Sequence, residues 1–185
     1  MKKTWILSAL LCFSLIACDA RKEQKEDNSI VENTTESNQQ TWDKTALNKE
    51  FETLNGDFVS LKNILAQHQG KTILIDVWAS WCPDCIKGFP ALKELQQNQP
   101  DVVYIFLSLD RAKDKWKTAI EKYDLRGEHY YLNETMKGEF GQSINLDWIP
   151  RYILVDAEGN IALKKAIVAN DPILINTLDS LQTEK

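Results

Sequence analysis

A pair of cysteines at the junction of a strand and a helix constrains this chain more than any other feature. Cys82 and Cys85 follow an apolar run at 72–77, which is typical of a strand buried on both faces. The residues from Pro83 to about Gln97 have the periodicity of an amphipathic helix, and proline is favoured in a first helical turn. The spacing therefore predicts a dithiol at a helix N-terminus that can close into a disulfide and reopen.

The helix terminus predicts different roles for the two thiols. Free backbone N–H groups and the positive end of the helix dipole stabilise a thiolate at this position. We therefore expect the pKa of Cys82 to lie below the value of about 8.5 of a free thiol, which makes Cys82 the accessible, attacking thiol. Cys85 lies one turn deeper and is expected to be shielded, as suits the thiol that resolves a mixed disulfide.

A structural zinc site and a static disulfide are the other interpretations of a C-x-x-C pair. Structural zinc usually needs a second cysteine pair or a histidine pair, whereas His68 and His129 are isolated from each other. A static bridge across so short a span would remove little entropy from the unfolded chain. The sequence therefore favours a reactive dithiol, and we expect neither a metal nor a bound cofactor.

The first 17 residues have the pattern of a bacterial lipoprotein signal peptide. A short basic start precedes an apolar run at 5–17, which is too short to span a bilayer. The run ends in Leu-Ile-Ala before Cys18, which resembles the bacterial lipobox, where cleavage leaves a diacylglyceryl group on the cysteine sulfur. We expect residues 1–17 to be the signal peptide and Cys18 to carry the lipid. A soluble secreted protein and an uncleaved anchor are the alternatives.

Cysteine usage and charge agree with an exported protein. The signal peptide contains Cys12, and a lipid caps Cys18, so Cys82 and Cys85 remain as a pair with no odd thiol in an oxidising compartment. The chain has 22 basic and 27 acidic residues, and loss of two lysines with the signal leaves 20 against 27, a net charge of −7. Because phosphate binding needs clustered Lys and Arg, this acidity argues against a nucleic-acid partner.

Composition divides the remaining chain into a tether and one folded domain. Residues 18–41 are mostly polar and charged, so they cannot bury enough apolar surface to offset their ordering entropy, and we expect a disordered tether. Residues 42–185 suffice for one α/β domain. Its predicted elements are an Asn-Gly hairpin at 51–59, helix 61–68, strand 71–78, helix 83–97, strand 102–109, helix 114–123, a less regular insertion at 125–145, strands 152–155 and 161–163, and helix 172–181.

The segment at 75–85, Ile-Asp-Val-Trp-Ala-Ser-Trp-Cys-Pro-Asp-Cys, resembles the active-site segment of the thioredoxin superfamily. The surrounding pattern is similar to the membrane-anchored TlpA and ResA-type branch. It has an Asn-Gly hairpin, a short helix before the strand, an insertion before a proline-led strand, and Asp-x-x-Gly-Asn in the last hairpin. The resemblance covers about 51–181 and implies a thioredoxin-like fold, with a central mixed β-sheet flanked by helices.

The resemblance also implies a second part of the site and a general base. Ile149 and Pro150 are expected to be joined by a cis peptide, in a loop that faces the dithiol and pairs with the client backbone. A proline that simply starts a strand is the alternative. Asp76, the one acid in an apolar strand, is expected to have a raised pKa and to act as general base for Cys85. The alternative is a carboxylate hydrogen-bonded at a strand edge.

Trp81, Pro83 and Asp84 complete the expected client-binding surface, with Trp78 and Trp81 as apolar walls. Asp84 places a carboxylate between the two sulfurs, where it repels a thiolate but also favours the helix N-terminus. We expect repulsion to dominate. The dithiol should then be a reductant with a potential near about −270 mV, as in thioredoxin, and not a strong oxidant like DsbA.

These observations predict a thiol-disulfide oxidoreductase of the bacterial cell envelope, lipid-anchored and facing a non-cytoplasmic compartment such as the periplasm. Its expected partners are disulfides of client proteins and a membrane electron-donor thiol protein. Two alternatives use the same fold. A thiol peroxidase would carry the pattern P-x-x-x-T-x-x-C, which residues 51–85 lack. A redox-inactive or metal-carrying lipoprotein would use the same fold without turnover. Copper chaperones of this fold favour the pattern C-x-x-x-C with a downstream histidine, and the cysteine spacing here is C-x-x-C instead.

Overall fold

The structure is a computed structural model that describes residues 41–183. The signal peptide, the lipidated Cys18 and all but the last residue of the tether predicted above lie outside this range. The strands are β1 (Glu50–Thr53), β2 (Phe58–Ser60), β3 (Ile73–Trp78), β4 (Val103–Ser108), β5 (Glu128–Tyr131), β6 (Arg151–Val155) and β7 (Ile161–Ala166). The helices are α1 (Lys44–Asn48), α2 (Leu61–Gln67), α3 (Pro83–Asn98), α4 (Lys113–Lys122), α5 (Glu139–Ser143) and α6 (Pro172–Thr183).

The strands form one mixed sheet of seven strands in the order β2-β1-β5-β4-β3-β6-β7. Strand β3 runs parallel to β4 on one side and antiparallel to β6 on the other. All six of its residues are buried, as its apolar sequence predicts for a strand covered on both faces. This sheet with flanking helices confirms the predicted fold class.

Helix α3 begins directly after the loop that follows β3. Cys82 is its N-cap and Pro83 is its first residue, where the missing N–H of proline costs no hydrogen bond. The helix continues past Pro90 to Asn98 and buries Cys85, Phe89, Leu92 and Leu95. Its Phe89 ring packs edge-on against Trp78 of β3, with ring centroids 5.6 Å apart. The dithiol is thus held between the central strand and the helix that covers it.

The insertion at 125–145 is more regular than the sequence suggests. It contains β5, which pairs with both β4 and β1 and is therefore an interior strand, and it contains α5. Strand β5 is only four residues long and begins with Glu128 and His129, so its own sequence carries little apolar periodicity. Its burial depends on neighbours distant in sequence. Helix α5 is held in the same way, because Phe140 packs edge-on against Phe51 of β1 at 5.1 Å between ring centroids.

Two elements, α1 and β7, differ from the elements predicted from the sequence. Helix α1 was not expected; Asp43 caps it by accepting a hydrogen bond from the backbone N–H of Thr45. Strand β7 extends to Ala166, beyond its predicted end. The Asn-Gly hairpin is present as predicted, with Gly56 at a φ of 93° in the turn between β1 and β2. None of the helices within residues 41–183 is long and apolar enough to cross a membrane.

Candidate active site

The two cysteines form a disulfide at the start of α3. Cys82 and Cys85 are bonded through their sulfurs, and their Cα atoms are 5.3 Å apart. The sulfur of Cys82 accepts a hydrogen bond from the backbone N–H of Cys85 at 3.1 Å. This N–H is one of those that a helix leaves unpaired in its first turn. The same donor can stabilise a thiolate on Cys82 when the disulfide is open.

The loop before β6 faces the dithiol. The peptide bond between Ile149 and Pro150 is cis, as expected. The carbonyl oxygen of Ile149 lies 3.4 Å from the Cys82 sulfur. The pairing of the strands brings this loop to the dithiol. Strand β6 runs antiparallel to β3, with Arg151 opposite Val77, so the start of β6 lies beside the end of β3. Ile149 itself is buried.

Cys82 is less accessible than expected, because only 4% of its surface is exposed, against 1% for Cys85. It opens into a small cleft of about 150 Å³. The cleft is lined by Trp81, Cys82, Pro83, Asp84, Met136, Trp148 and Ile149. Any sulfur that reacts with Cys82 therefore has to enter this cleft, and access to Cys82 depends on the side chains that line it.

Two tryptophans form the exposed apolar part of the cleft lining. Trp81 and Trp148 are about half exposed, at 48% and 54%. Trp78, in contrast, belongs to the core, where it contacts Phe89 and Phe106, and it does not line the cleft. Trp148 was not among the predicted site residues. Its position two residues before Pro150 was the available signal.

Asp84 lies on the rim of the cleft. Its side chain is half exposed, and Lys87 lies one helical turn away with its Nζ 3.9 Å from an Asp84 oxygen. An exposed pair at this distance is weak, because water screens it. The Asp84 carboxylate thus remains a negative charge beside the sulfurs. Its effect on the Cys82 thiolate stays a prediction, because Cys82 is oxidised in this structure.

Asp76 lies in the central strand and is 2% exposed. Burial raises the pKa of its carboxyl from 3.8 to about 8, because the charged form loses its solvation. Within the part of the chain that the structure describes, neither carboxyl oxygen has a hydrogen-bond partner. The alternative of a hydrogen-bonded carboxylate at a strand edge is therefore wrong, since β3 has a neighbour on each side. A carboxyl with this pKa can exchange a proton with a thiol near neutral pH.

The buried carboxylate of Asp110, which was not predicted as a site residue, holds the loop before the cysteines. Asp110 accepts hydrogen bonds from the backbone N–H of Ser80 at 3.1 Å and from the Ser80 hydroxyl at 2.6 Å. It also accepts one from the hydroxyl of Ser108 at 2.9 Å. These bonds join the end of β4 to the loop that carries Trp81 and Cys82. An acid directly after a buried strand, next to that loop in a parallel pair, was the signal available in the sequence.

The described residues contain no group of three or more His, Cys, Asp or Glu side chains that could hold one metal ion. His68 instead lies 3.0 Å from Glu128, and His129 lies 3.0 Å from the carbonyl oxygen of Leu125. Both imidazoles therefore have partners away from the dithiol.

Comparison with known proteins agrees with this geometry. Residues 70–161, which contain the dithiol and the cis loop, match the family model described as thioredoxin-like. A solution structure of a Bacteroides vulgatus protein described as a thiol-disulfide oxidoreductase is 32% identical, with a TM-score of 0.61. The match covers 74% of this chain and 87% of the Bacteroides chain. This chain belongs to the thioredoxin-like family.

Two of the curated relatives that this chain is similar to are named for disulfide exchange. The thiol:disulfide interchange protein DsbE of Haemophilus influenzae is 27% identical over 60% of this chain and 59% of its own length. The thiol-disulfide oxidoreductase ResA of Bacillus thuringiensis is 26% identical over 64% of this chain and 65% of its own length. The first three curated relatives are matched over only 59, 52 and 44% of their lengths.

Proposed function

We propose that this protein is a thiol-disulfide oxidoreductase that reduces disulfides of client proteins. The observation that carries the proposal is the Cys82–Cys85 disulfide at the N-terminus of α3, facing the loop at Ile149 and Pro150. The relatives named DsbE and ResA support it. A static structural disulfide would not need a cleft above its sulfurs or a buried acid beneath its helix.

The reaction consists of two exchange steps. The Cys82 thiolate attacks one sulfur of the client disulfide, which forms a mixed disulfide and releases the other client sulfur as a thiolate. Cys85 then gives its proton to Asp76 and attacks the Cys82 sulfur. The mixed disulfide breaks, the second client thiolate leaves, and the Cys82–Cys85 disulfide remains. Two electrons pass from the dithiol to the client, and the released client thiolates take up protons.

The cleft would orient the client for the first step. Trp81 and Trp148 offer exposed apolar surface in the cleft at Cys82, and Pro83 and Asp84 line it at the helix terminus. The backbone of Ile149 borders the same cleft, so an extended client segment can lie against it. We infer that this segment presents its disulfide with apolar neighbours, because the exposed lining is largely aromatic.

The electron supply and the location of the protein follow from the same proposal. Each turnover leaves an oxidised dithiol, so a membrane electron-donor thiol protein must reduce it again. We propose that a lipid on Cys18 holds the domain at the bacterial envelope, facing the periplasm or another non-cytoplasmic compartment. The lipobox-like sequence before Cys18 supports this placement. A relative from Mycobacterium tuberculosis named soluble secreted antigen MPT53 also supports a non-cytoplasmic location.

Reduction of insulin disulfides tests the activity. With dithiothreitol as electron source, catalytic amounts of the purified protein are expected to shorten the lag before insulin precipitates, because a low-pKa thiol attacks faster than free dithiothreitol. The readout is turbidity, with a protein-free reaction as control. A lag equal to that of the control would contradict the proposed function. A parallel measurement of peroxide consumption tests the peroxidase alternative, and no acceleration is expected there.

A redox titration tests the direction of electron flow. Because the Asp84 carboxylate disfavours a thiolate at Cys82, we expect a potential near about −270 mV, the range of reductants such as thioredoxin. The fraction of the Cys82–Cys85 disulfide is measured after equilibration with dithiol buffers of known potential. Asp84→Asn serves as the matched variant and should be more oxidising. A potential above about −150 mV for the unaltered protein would indicate an oxidant and overturn the proposed direction.

A further inference from the structure

Asp76 and Tyr152 occupy directly opposite positions on neighbouring strands. They are register partners in the antiparallel pair of β3 and β6. Side chains at such positions lie on the same face of the sheet, with Cβ atoms about 5 Å apart. Asp76 is 2% exposed and Tyr152 is fully buried. The sheet therefore places a carboxyl and a phenol side by side in the core.

The Tyr152 hydroxyl lies beneath α3, on the side of the sheet where the dithiol is held. A Cβ built on Gly88 would lie 3.5 Å from this hydroxyl oxygen. Gly88 is one helical turn after Cys85, so both residues face the sheet on the same stripe of the helix. Gly88 is also partly exposed and lines an open cleft with Asp84, Lys87, Trp148 and Pro150, among others. The Tyr152 hydroxyl thus lies under α3 at Gly88, on the face of the sheet that it shares with Asp76.

The two groups complement each other chemically. Among the described residues, neither the Asp76 oxygens nor the Tyr152 hydroxyl have a hydrogen-bond partner in this oxidised state. An ionised carboxylate can only accept hydrogen bonds, and a phenol can donate one. The pKa of Tyr152 is raised well above its usual value, first by burial and then by the charge of Asp76. Tyr152 therefore remains a donor at every pH at which Asp76 titrates.

The strands on the other side of Asp76 supply no competing donor. Phe106 of β4 is the register partner of Asp76 there. His129 of β5 stacks on Phe106 at 4.7 Å between ring centroids, and burial lowers its pKa. Its Nε2 lies 3.0 Å from the carbonyl oxygen of Leu125, which accepts the N–H of the neutral ring, so the other ring nitrogen is an acceptor. Tyr104 of β4 donates instead to the carbonyl oxygens of Leu95 and Gln99, near the end of α3.

The charged residues of strand β6 and helix α3 near Asp76 are not placed to donate a hydrogen bond to it. Arg151 is adjacent to Tyr152 in β6, so it points to the opposite face of the sheet, where it pairs with Asp147. On α3, Asp84 and Lys87 are exposed, and the buried residues are Cys85, which is in the disulfide, and the apolar Phe89, Leu92 and Leu95. Trp78, two residues after Asp76 in β3, lies on the same face, and its indole N–H has no hydrogen-bond partner among the described residues, but its ring is packed between Phe89 and Phe106. Tyr152 is the neutral donor that the strand register places directly opposite Asp76.

We propose that Tyr152 is a positioning residue, whose hydroxyl turns to donate a hydrogen bond to Asp76 when that carboxyl ionises. The proposal adds to the proposed function, because it assigns a second group to the proton transfer that activates Cys85. The hydrogen bond favours the ionised form of Asp76, which is the form that takes a proton from a thiol. Without it, Asp76 would hold its proton to a higher pH and serve as a base less often.

The test is a direct titration of Asp76 in the oxidised full-length protein. Aspartate labelled with ¹³C at the side-chain carboxyl is followed by NMR, and Asp76→Asn identifies the resonance. The pKa of Asp76 is expected at about 8 in the unaltered protein. Tyr152→Phe should move the midpoint upward by about one pH unit, since a hydrogen bond to a charged group is worth roughly that much. Tyr152→Leu also lacks the hydroxyl and should move the midpoint in the same direction.

Tyr104→Phe is the matched control, because it removes a buried hydroxyl that bonds to backbone carbonyls away from Asp76. Its midpoint should equal that of the unaltered protein. An unchanged midpoint in Tyr152→Phe, or an equal shift in Tyr104→Phe, would overturn the role of Tyr152. The titration needs no turnover. A protein that shifts as expected but does not reduce insulin would refute only the proposed function, and the converse result would refute only this inference.

Discussion

Replacing Cys82 with Ser is expected to abolish insulin reduction, lowering the rate on the order of a thousand-fold or more, as the loss of a nucleophile does in other enzymes. A serine hydroxyl is not ionised near neutral pH and cannot form a disulfide with the client. Cys85→Ser should differ, because Cys82 can still attack. That variant should stop after the first exchange and accumulate a one-to-one mixed disulfide with the client. Mass spectrometry under non-reducing conditions measures this product.

Each variant is the experimental control for the other, because each removes one sulfur from the same buried pair. Cys82→Ser should form no mixed disulfide, because Cys85 is covered by the helix and strand. A stable mixed disulfide through Cys85 would reverse the assigned order of attack. Full insulin reduction by both variants would show that the dithiol is not the active site.

Replacing Asp76 with Asn is expected to make the oxidised protein more stable than the unaltered one at alkaline pH. The pKa of Asp76 is about 8 in the folded protein, against 3.8 as its ordinary value. Between these values the folded state binds more protons than the unfolded state, so the free energy of unfolding falls as pH rises. Asparagine does not titrate. The difference between the two proteins should therefore grow by about 1.4 kcal/mol per pH unit, or about 3 kcal/mol from pH 5 to pH 7.

Urea unfolding of both proteins at several pH values measures this difference, with the disulfide kept intact so that no thiol titrates. Asp101→Asn is the matched control, because Asp101 is exposed. Its stability should follow that of the unaltered protein across the range. A constant difference between Asp76→Asn and the unaltered protein would show that Asp76 does not have a raised pKa. Its assignment as a general base at neutral pH would then fail.

The local features of the site could be read from the sequence. An apolar run ending in Cys-Pro-Asp-Cys predicts a buried strand, a turn and a helix N-terminus, because each depends on residues close together in the chain. The burial of Asp76 followed from its place in that run. The resemblance of the 75–85 segment then supplied the cis bond at Pro150, which the dithiol spacing could not have indicated. Each of these is present in the structure.

Other features required the tertiary structure, because they depend on contacts between distant segments. Strand β5 has too few apolar residues to be recognised alone, and it is a strand because β1 and β4 pair with it. The position of the Ile149 carbonyl oxygen 3.4 Å from the buried Cys82 sulfur likewise depends on two segments that are distant in sequence.

Asp76 shows most clearly what the sequence determines and what depends on the tertiary structure. Its sequence neighbours alone determined that the carboxyl is buried, because an acid inside an apolar central strand loses its contact with water. Which side chain lies opposite it was decided by the register of β6 against β3, which puts Tyr152 there. Register depends on how two strands separated by more than half of the domain pair with each other, and no local pattern around either residue encodes that pairing.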